Sequence, residues 1–238
     1  MEEQLLRTAM LVGEEGVERL KNAKVALFGL GGVGGYTAEA LARAGIGTMY
    51  LCDNDTISLS NLNRQILATY DTIGRLKTDV AKERIASINR DIEVICDNTF
   101  VLEENLGTTD WRDLDYAVDA IDTVSGKIAL IEQADRFNVP IISCMGTGNK
   151  MRADMLEIAD IYDTSVCPLA RVVRKELKNR GIGKCKVVFS KEGPHKTLEC
   201  DCVEKPEGKS SIPASNSFVP AVAGLLIAQE VIRGILVR

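Results

Sequence analysis

The stretch Val25-Ala-Leu-Phe-Gly-Leu-Gly-Gly-Val-Gly-Gly35 decides the fold that we expect for this chain. Its apolar start predicts a short buried strand, and a helical pattern follows the glycines through Ala44. A strand, a glycine turn and a helix in this order form a cradle for nucleotide phosphates, because glycine lets the backbone approach an anion and the free N–H groups at the helix start point at it. The glycines of this cradle are Gly29, Gly31, Gly32 and Gly34. Their spacing also fits the dinucleotide fingerprint, so the loop alone leaves the nucleotide open.

The composition is that of an ordinary globular protein, with 45% apolar and 26% charged residues in a chain of 238. The net charge of −5 argues against unspecific coating of nucleic acid, although a local basic patch remains open. The chain starts with the acidic Met1-Glu-Glu-Gln, unlike a secretory signal, and its longest apolar run, residues 219–228, is shorter than the roughly 20 residues of a membrane helix. Seven cysteines, an odd number, indicate free thiols in a reducing compartment. We therefore expect a cytoplasmic protein with no membrane association.

Strand and helix patterns alternate along most of the chain. After the glycine loop, strands are predicted at 48–52, 92–96, 116–121 and 139–144, and helices at 75–89 and 127–137. This alternation predicts an α/β fold with a Rossmann-like, mostly parallel sheet flanked by helices. Ligands of such sheets bind at the carboxyl ends of the strands, which is where the glycine loop and several acidic residues fall.

We expect a single domain, residues 1–238, built from four successive regions. An N-terminal helical arm covers 1–22, and its expected core side carries Leu5, Leu6, Leu11, Val17 and Leu20. A nucleotide-binding core covers 23–150. A substrate-side region, 151–217, contains a basic helix at 171–180, a strand at 186–189 and a long mobile loop at 190–217. The apolar residues 218–238 predict a C-terminal helix that forms either core or a subunit interface.

Polar side chains around the expected sheet edge suit adenylyl transfer. Such chemistry needs cations on the phosphates, a carboxylate for a metal ion and an in-line geometry. Arg64 and Lys77 can supply the positive charge, and Asp122 can hold Mg²⁺. A carboxylate about 20 residues beyond the last glycine can anchor a ribose. The expected ligands of the nucleotide, besides the glycines, are Asp53, Asp55, Asn61, Arg64, Gln65 and Lys77.

A series of motifs resembles the ThiF/MoeB/HesA superfamily of adenylating enzymes, which are akin to ubiquitin-activating enzymes. The series is the glycine loop, then Asp53-x-Asp55, Ser60-Asn-Leu-Asn-Arg-Gln65, Gly74-Arg-Leu-Lys77 and Asp119-Ala-Ile-Asp122. The resemblance implies ATP and Mg²⁺ as cofactors, with the ribose on Asp53, the phosphates on Arg64 and Lys77, the magnesium on Asp122, and Asn61 and Gln65 lining the site. It also implies a homodimer in which Arg7 enters the partner's ATP site as a catalytic residue.

Two later segments, residues 160–171 and 186–192, together with the turn Gly146-Thr-Gly148, resemble one branch of that superfamily, the tRNA threonylcarbamoyladenosine dehydratases. This resemblance implies that the partner is tRNA carrying threonylcarbamoyladenosine. ATP would adenylate the threonyl carboxylate, and the neighbouring carbamoyl group would then close the ring and expel AMP. No enzyme cysteine is needed for this chemistry, so Cys144 and Cys167 are expected to be buried and structural. A sulfur-relay protein stays open as a further partner.

The basic run at 171–186 has two readings. Contact with tRNA phosphates is one, and a solvated helix face is the other. The residues of this run are Arg171, Arg174, Lys175, Lys178, Arg180, Lys184 and Lys186. The only histidine, His195, is expected to be an ordinary surface residue of the mobile loop.

Three other functions are compatible with parts of the pattern. Adenylation of the C-terminus of a ubiquitin-like sulfur-carrier protein is the first, although the chain lacks the two Cys-x-x-Cys pairs of its relatives with structural zinc. An NAD-dependent oxidoreductase is the second and rests on the glycine loop alone. A non-catalytic ATP-binding module is the third. Cys200-Asp-Cys202 is read as two exposed thiols, with metal or persulfide binding as the alternative.

Overall fold

The computed structural model describes residues 2–198 and 213–237 and contains a seven-stranded sheet with the order β3-β2-β1-β4-β5-β7-β6. All neighbouring strands are parallel except β6, which runs antiparallel to β7. The strands are β1 (Lys24–Phe28), β2 (Thr48–Cys52), β3 (Glu93–Asp97), β4 (Tyr116–Asp119), β5 (Ile141–Cys144), β6 (Leu156–Asp160) and β7 (Lys186–Ser190). The α/β, mostly parallel fold is thus confirmed.

Helices cover both faces of this sheet. They are α1 (Leu6–Asn22), α2 (Gly34–Ala44), α3 (Lys77–Ile88), α4 (Val124–Phe137), α5 (Pro168–Asn179) and α6 (Val219–Leu236). Because alternate strand residues point to opposite faces, Val25 and Leu27 of β1 join the core under α2, α3 and α6, whereas Ala26 and Phe28 join the core under α4. The strand order reverses between β1 and β4, which opens a crevice at their carboxyl ends.

Strand β6 was not predicted from the sequence. Its residues are all half-buried, because it forms the edge of the sheet and pairs only with β7. A half-buried edge strand lacks the continuous apolar run that revealed the central strands. The substrate-side region therefore extends the sheet of the nucleotide-binding core.

The N-terminal arm is helical as predicted, but its expected core face is only partly correct. Leu5, Val17 and Leu20 are buried, whereas Leu6 and Leu11 are exposed. The helix α1 is interrupted at Gly13, whose φ of 78° and ψ of 165° are not helical, and this interruption turns the first part of the arm away from the core. The expectation that Leu6 and Leu11 lie in the core was wrong.

The C-terminal helix α6 is, by length and composition, the one helix within residues 2–198 and 213–237 that could cross a membrane. Its contacts identify it as a core helix of this fold. It packs along α2, where the carbonyl of Gly224 accepts a hydrogen bond from Thr37 Oγ1 at 3.1 Å. A Cβ at Gly224 would overlap the carbonyl oxygen of Val33, so glycine permits this close approach.

The segment expected to be a mobile loop, 190–217, is held at both of its ends. Ser190 belongs to β7, and the His195 N–H donates to the Asn149 carbonyl at 2.7 Å. On the returning side, the Asn149 side chain accepts from Ala214 N at 2.7 Å, and the Asn149 N–H donates to the Ala214 carbonyl at 2.8 Å. Residues 199–212, with Cys200 and Cys202, lie outside the described part of the chain.

Candidate nucleotide site

The glycine loop connects β1 to α2 and requires glycine at two positions. Gly29 has a φ of 92°, and a Cβ there would lie 2.7 Å from the carbonyl oxygen of Ala120. A Cβ at Gly34 would overlap the carbonyl oxygen of Gly29. The nearest atom to a Cβ at Gly31 would be Gln65 Nε2, at 4.0 Å, so the outer side of the loop stays open. This leaves the first N–H groups of α2 in a cradle that accepts an anion.

Asp53 follows β2 directly and closes one side of the loop. Its carboxylate accepts hydrogen bonds from Leu30 N at 2.6 Å and from Asp55 N at 2.8 Å. Burial raises the pKa of Asp53, against the lowering effect of Lys77 and of the Leu30 N–H. The carboxylate is thus fixed against the phosphate loop, in the position where a ribose hydroxyl would be bound.

Lys77 lies at the first position of α3 and reaches the same carboxylates. Its Nζ is 2.6 Å from Asp55 Oδ2 and 3.8 Å from Asp53 Oδ1, and its side chain is only 6% exposed. A left-handed turn at Gly74 and a hydrogen bond from Lys77 N to the Asp55 carbonyl at 3.0 Å set the start of this helix. The ammonium group is therefore buried beside the loop, although Asp55 is largely exposed.

Asn61, Arg64 and Gln65 lie in the short turn after β2. The Asn61 side chain accepts from Ser58 N at 3.2 Å, and its carbonyl accepts from the N–H groups of Arg64 and Gln65. A Cβ at Gly32 would lie 3.4 Å from Arg64 Cγ, so the half-buried arginine extends from beside the loop. The Gln65 Oε1 is buried and has no hydrogen-bond partner among the described residues. A buried acceptor without a donor indicates that a ligand or a water molecule supplies the missing hydrogen bond.

Asp122 lies in the connection between β4 and α4. It is exposed, and it follows Ala120 and Ile121, whose backbone atoms pack against Gly29. The expected metal ligand is therefore at the carboxyl end of β4, next to the glycine loop.

Arg7 lies away from the loop of its own chain. It is exposed on α1, and the preceding Leu5 packs against Gly45 at the C-terminal end of α2, whereas the glycine loop is at the N-terminal end of that helix. The other expected ligands are brought together in one chain, and Arg7 is not among them.

A second charged cluster was not predicted from the sequence. Lys127 Nζ is 2.9 Å from Asp119 Oδ2, and Ser143 Oγ also donates to this carboxylate. All three side chains are fully buried. Asp119 Oδ1 further accepts from Ile121 N at 3.2 Å, one residue before Asp122. The signals in the sequence were that Asp119 ends an apolar run and opens the motif Asp119-Ala-Ile-Asp122, and that Lys127 falls in a predicted helix.

The cysteine and histidine predictions are both confirmed. Cys144 and Cys167 are buried as expected, and burial raises the pKa of the Cys144 thiol to about 12, which leaves it unreactive. His195 is exposed, as expected, and its Nε2 lies 2.7 Å from Glu192 Oε1. That carboxylate also accepts from the N–H groups of Met151 and Arg152.

The residues fit ATP and a magnesium ion held mainly by the nucleotide. A polyphosphate with its ribose fits the glycine cradle, the buried Lys77 and the Gln65 Oε1 acceptor, which has no donor among the described residues. No group of three His, Cys, Asp or Glu side chains that could hold a metal occurs in the described ranges. Mg²⁺ is commonly bound through one or two carboxylates plus phosphates and water, which a single Asp122 can satisfy.

Comparison with known proteins shows what this chain is similar to. The chain is 41% identical over 240 residues to a tRNA threonylcarbamoyladenosine dehydratase of Bacillus subtilis, covering 98% of this chain and 94% of the relative. The crystal structure of the Escherichia coli enzyme of that name in complex with ATP superposes with a TM-score of 0.86 at 30% identity, covering 99% and 94% of the two chains. The sulfur carrier protein ThiS adenylyltransferase of Escherichia coli is 34% identical over 134 residues, or 56% of this chain and 53% of that protein.

The family model that matches the sequence extends over residues 4–238. It spans the glycine loop, the sheet, the basic helix α5 and the core helix α6. This chain belongs to the ThiF family.

Proposed function

We propose that this protein is an ATP-dependent enzyme that dehydrates threonylcarbamoyladenosine in tRNA. The observation that carries this proposal is similarity over almost the full length, in sequence and in fold, to dehydratases of that name, one of which was solved with ATP. The site supports it, because a phosphate cradle, a buried lysine and an exposed carboxylate meet at one sheet edge.

The reaction has two steps that leave the protein chemically unchanged. An oxygen of the threonyl carboxylate attacks the α-phosphorus of ATP, and pyrophosphate leaves. The neighbouring carbamoyl group then attacks the acyl carbon, loses a proton and expels AMP, so that one water is lost overall. Since the nucleophile of the second step belongs to the substrate, positioning rather than a reactive cysteine is required. This agrees with the buried Cys144 and Cys167.

Each site residue has a role in this scheme. Asp53 binds the ribose, and Lys77 and Arg64 neutralise the phosphates as pyrophosphate departs. Asp55 holds the Lys77 ammonium at 2.6 Å and thereby fixes its direction. Asn61 shapes the turn that carries Arg64 and Gln65. Asp122 would hold Mg²⁺, which supplies charge neutralisation on the phosphates when bound.

The direct test is nucleoside mass spectrometry on tRNA that carries threonylcarbamoyladenosine, incubated with the protein, ATP and Mg²⁺. We expect ATP-dependent loss of one water from that nucleoside, with AMP and pyrophosphate formed in equal amounts. Omission of ATP is the control. An unchanged nucleoside in the presence of active, folded protein would exclude the proposal.

The tRNA surface that we propose is the exposed face of α5. The N-terminal end of this helix contacts the Gly146 turn at the carboxyl end of β5, so the face extends outward from the edge of the site. Three residues of the predicted basic run are already engaged. Arg174 donates to Thr164, Arg180 pairs with Glu132 at 2.8 Å, and Lys186 pairs with Glu230. The other four cations of this run are exposed and have no hydrogen-bond or ion-pair partner among the described residues; they are Arg171, Lys175, Lys178 and Lys184.

Salt dependence measures this surface. The double variant Lys175→Ala/Lys178→Ala should weaken binding of tRNA uniformly and reduce the slope of log affinity against log salt by about 2. The matched control is Lys82→Ala/Arg90→Ala, which removes two exposed cations near α3, on the other face of the sheet. An unchanged slope in the Lys175→Ala/Lys178→Ala variant would show that tRNA does not bind to this surface.

The protein is proposed to act as a cytoplasmic homodimer in which Arg7 completes the site of the partner. Two observations support this. Arg7 lies away from its own glycine loop, and it is surrounded on α1 by the exposed apolar side chains of Leu6, Met10 and Leu11. A monomeric mass in solution at micromolar concentration would contradict it.

Adenylation of a sulfur-carrier protein is the second candidate. Its support is the similarity over about half the chain to the ThiS adenylyltransferase. Pyrophosphate exchange with candidate carrier proteins separates the two, because only the carrier reaction gives exchange without tRNA. A sulfur-relay partner is tested in the nucleoside assay. If such a partner is needed, the loss of water from the modified nucleoside depends on its addition.

A further inference from the structure

The side chain of Asn63 joins two parts of the molecule that the roles proposed above leave unconnected. Its Oδ1 accepts a hydrogen bond from Arg64 Nη1 at 2.8 Å, and its Nδ2 donates to the Ser215 carbonyl at 3.1 Å. Arg64 belongs to the turn after β2, whereas Ser215 belongs to the segment that returns toward α6. A side-chain amide carries both an acceptor oxygen and a donor nitrogen, so Asn63 can make both hydrogen bonds at once.

We propose that Asn63 is a positioning residue that holds the Arg64 guanidinium for the nucleotide. The same nitrogen, Arg64 Nη1, also donates to the Ser60 carbonyl at 3.0 Å, so one edge of the guanidinium is fixed twice. Its Nε and Nη2 have no hydrogen-bond partner among the described residues and stay available for a phosphate. A planar group fixed on one edge presents the other edge in a set direction, which suits bidentate binding of phosphate.

The Ser215 end of the link is itself well anchored. Its neighbour Ala214 donates to Asn149 Oδ1 at 2.7 Å, and Asn216 Nδ2 donates to the Lys150 carbonyl at 2.7 Å. Asn216 Oδ1 also accepts from Val219 N, the first N–H of α6, at 2.9 Å. The returning segment, residues 213–216, therefore connects the end of β5 to Arg64 through Asn63. Through Asn63, this segment supports the half-buried guanidinium of Arg64.

This inference rests on the proposed role of Arg64 in binding ATP phosphates, and its test is nucleotide affinity measured without tRNA. Titrations with ATP and with AMP are made on the wild type and on Asn63→Ala, Arg64→Ala and the double variant. Asn63→Ala should weaken ATP binding about tenfold, as expected for loss of support for a charge-assisted hydrogen bond, and should change AMP binding less than about twofold. In the Arg64→Ala background, Asn63→Ala should have almost no further effect.

The control variant is Asn179→Ala, which removes an exposed amide at the end of α5, far from this turn in the sequence. A merely structural role for Asn63 would weaken ATP and AMP binding alike, and this result would overturn the inference. Equal losses from Asn63→Ala in the presence and absence of Arg64 would overturn it as well. Unchanged ATP affinity in Asn63→Ala would do the same.

The Ser215 end has a separate variant. Asn149 has a φ of 59°, which glycine adopts without strain, so Asn149→Gly removes the acceptor of Ala214 N and preserves the turn. It should reduce ATP affinity about threefold in the wild type and not in Asn63→Ala. Failure of the tRNA assay with intact ATP binding would reject the proposed function and leave this inference standing, whereas an active wild type with an unaffected Asn63→Ala would reject the inference alone.

Discussion

Two lysine–carboxylate pairs lie at the carboxyl ends of strands β2 and β4 of the same sheet, and their surroundings differ. Lys127 and Asp119, behind β4, are fully buried, and Ser143 occupies a further hydrogen-bonding position of the carboxylate. Lys77 and Asp53, behind β2, are nearly as buried, but the strongest partner of Lys77 is Asp55, whose side chain is 62% exposed. One group is closed and the other opens to solvent beside the glycine loop.

The difference shows how one chemical pairing can serve two purposes. A buried pair with all its partners supplied by the protein has no capacity left for a ligand, and removing one member leaves a costly charge. A pair whose partner reaches solvent can exchange that partner for a phosphate. From this comparison we infer that the Lys127 group supports the fold, whereas the Lys77 group is the one that we propose for nucleotide binding.

The largest effect should come from breaking the closed pair. Lys127→Met leaves the Asp119 carboxylate buried without its cation, and we expect the free energy of unfolding to fall by about 3–5 kcal/mol. Urea denaturation followed by circular dichroism measures this. Lys77→Met serves as the matched variant and should cost only about 1 kcal/mol, because Asp55 is exposed. Equal losses in the two variants would contradict the comparison.

Asp122 sharpens the contrast within a single stretch of chain, since it follows Asp119 by three residues but is exposed. Asp122→Ala should lower ATP-dependent turnover by about 10³-fold, as expected for loss of a group that organises charge in the transition state, without a measurable change in the urea midpoint. Activity at the wild-type level would remove Asp122 from the metal role. Variation of the Mg²⁺ concentration in the same assay shows whether excess metal restores part of the rate.

Lys77 itself should affect turnover more than stability. Lys77→Ala removes a buried cation next to the phosphate cradle, and we expect kcat/KM for ATP to fall by about 10²-fold. Lys82→Ala, an exposed lysine on the same helix, is the control and should retain full activity. If both variants keep their activity, the open pair has no part in nucleotide binding.

The smallest effect concerns the pH dependence of Asp53. Because burial raises its pKa in the folded protein, the folded state binds this proton more tightly than the unfolded chain does. The resulting loss of folding stability is absent below the ordinary carboxyl pKa of about 3.9. It is complete once the pH exceeds the raised pKa of Asp53 in the folded protein. The stability of the wild type relative to Asp53→Asn should therefore fall between about pH 4 and pH 7. Urea unfolding at both pH values checks this, and a difference that is independent of pH would contradict it.

The nucleotide site was largely predictable because its residues lie at element ends. Glycines in fixed order, and polar residues directly after apolar runs, indicate the carboxyl edge of a parallel sheet. Asp53 and Lys77 were identified in this way, and the structure joins both to the glycine loop region through hydrogen bonds and ion pairs. The family resemblance added their roles.

The remaining features depend on contacts between distant residues. Lys127 was not distinguished from an ordinary helical lysine, because its neighbour Ser143 lies 16 residues away in the sequence. The link from Asn63 to Ser215 likewise joins residues 152 positions apart, which no short pattern connects. The edge strand β6 was missed because its half-buried pattern has no distinct period.

The two outer strands of the sheet have a consequence for the behaviour of this protein at high concentration. An exposed strand edge is a template on which further chains can add and grow into fibrils. Here β3 carries Glu93 and Asp97, and β6 carries Glu157 and Asp160, so both rims are acidic. Tight 3₁₀ turns at 153–155 and 161–163 also limit β6 to five residues. Like charge and short length oppose edge-to-edge polymerisation of the protein.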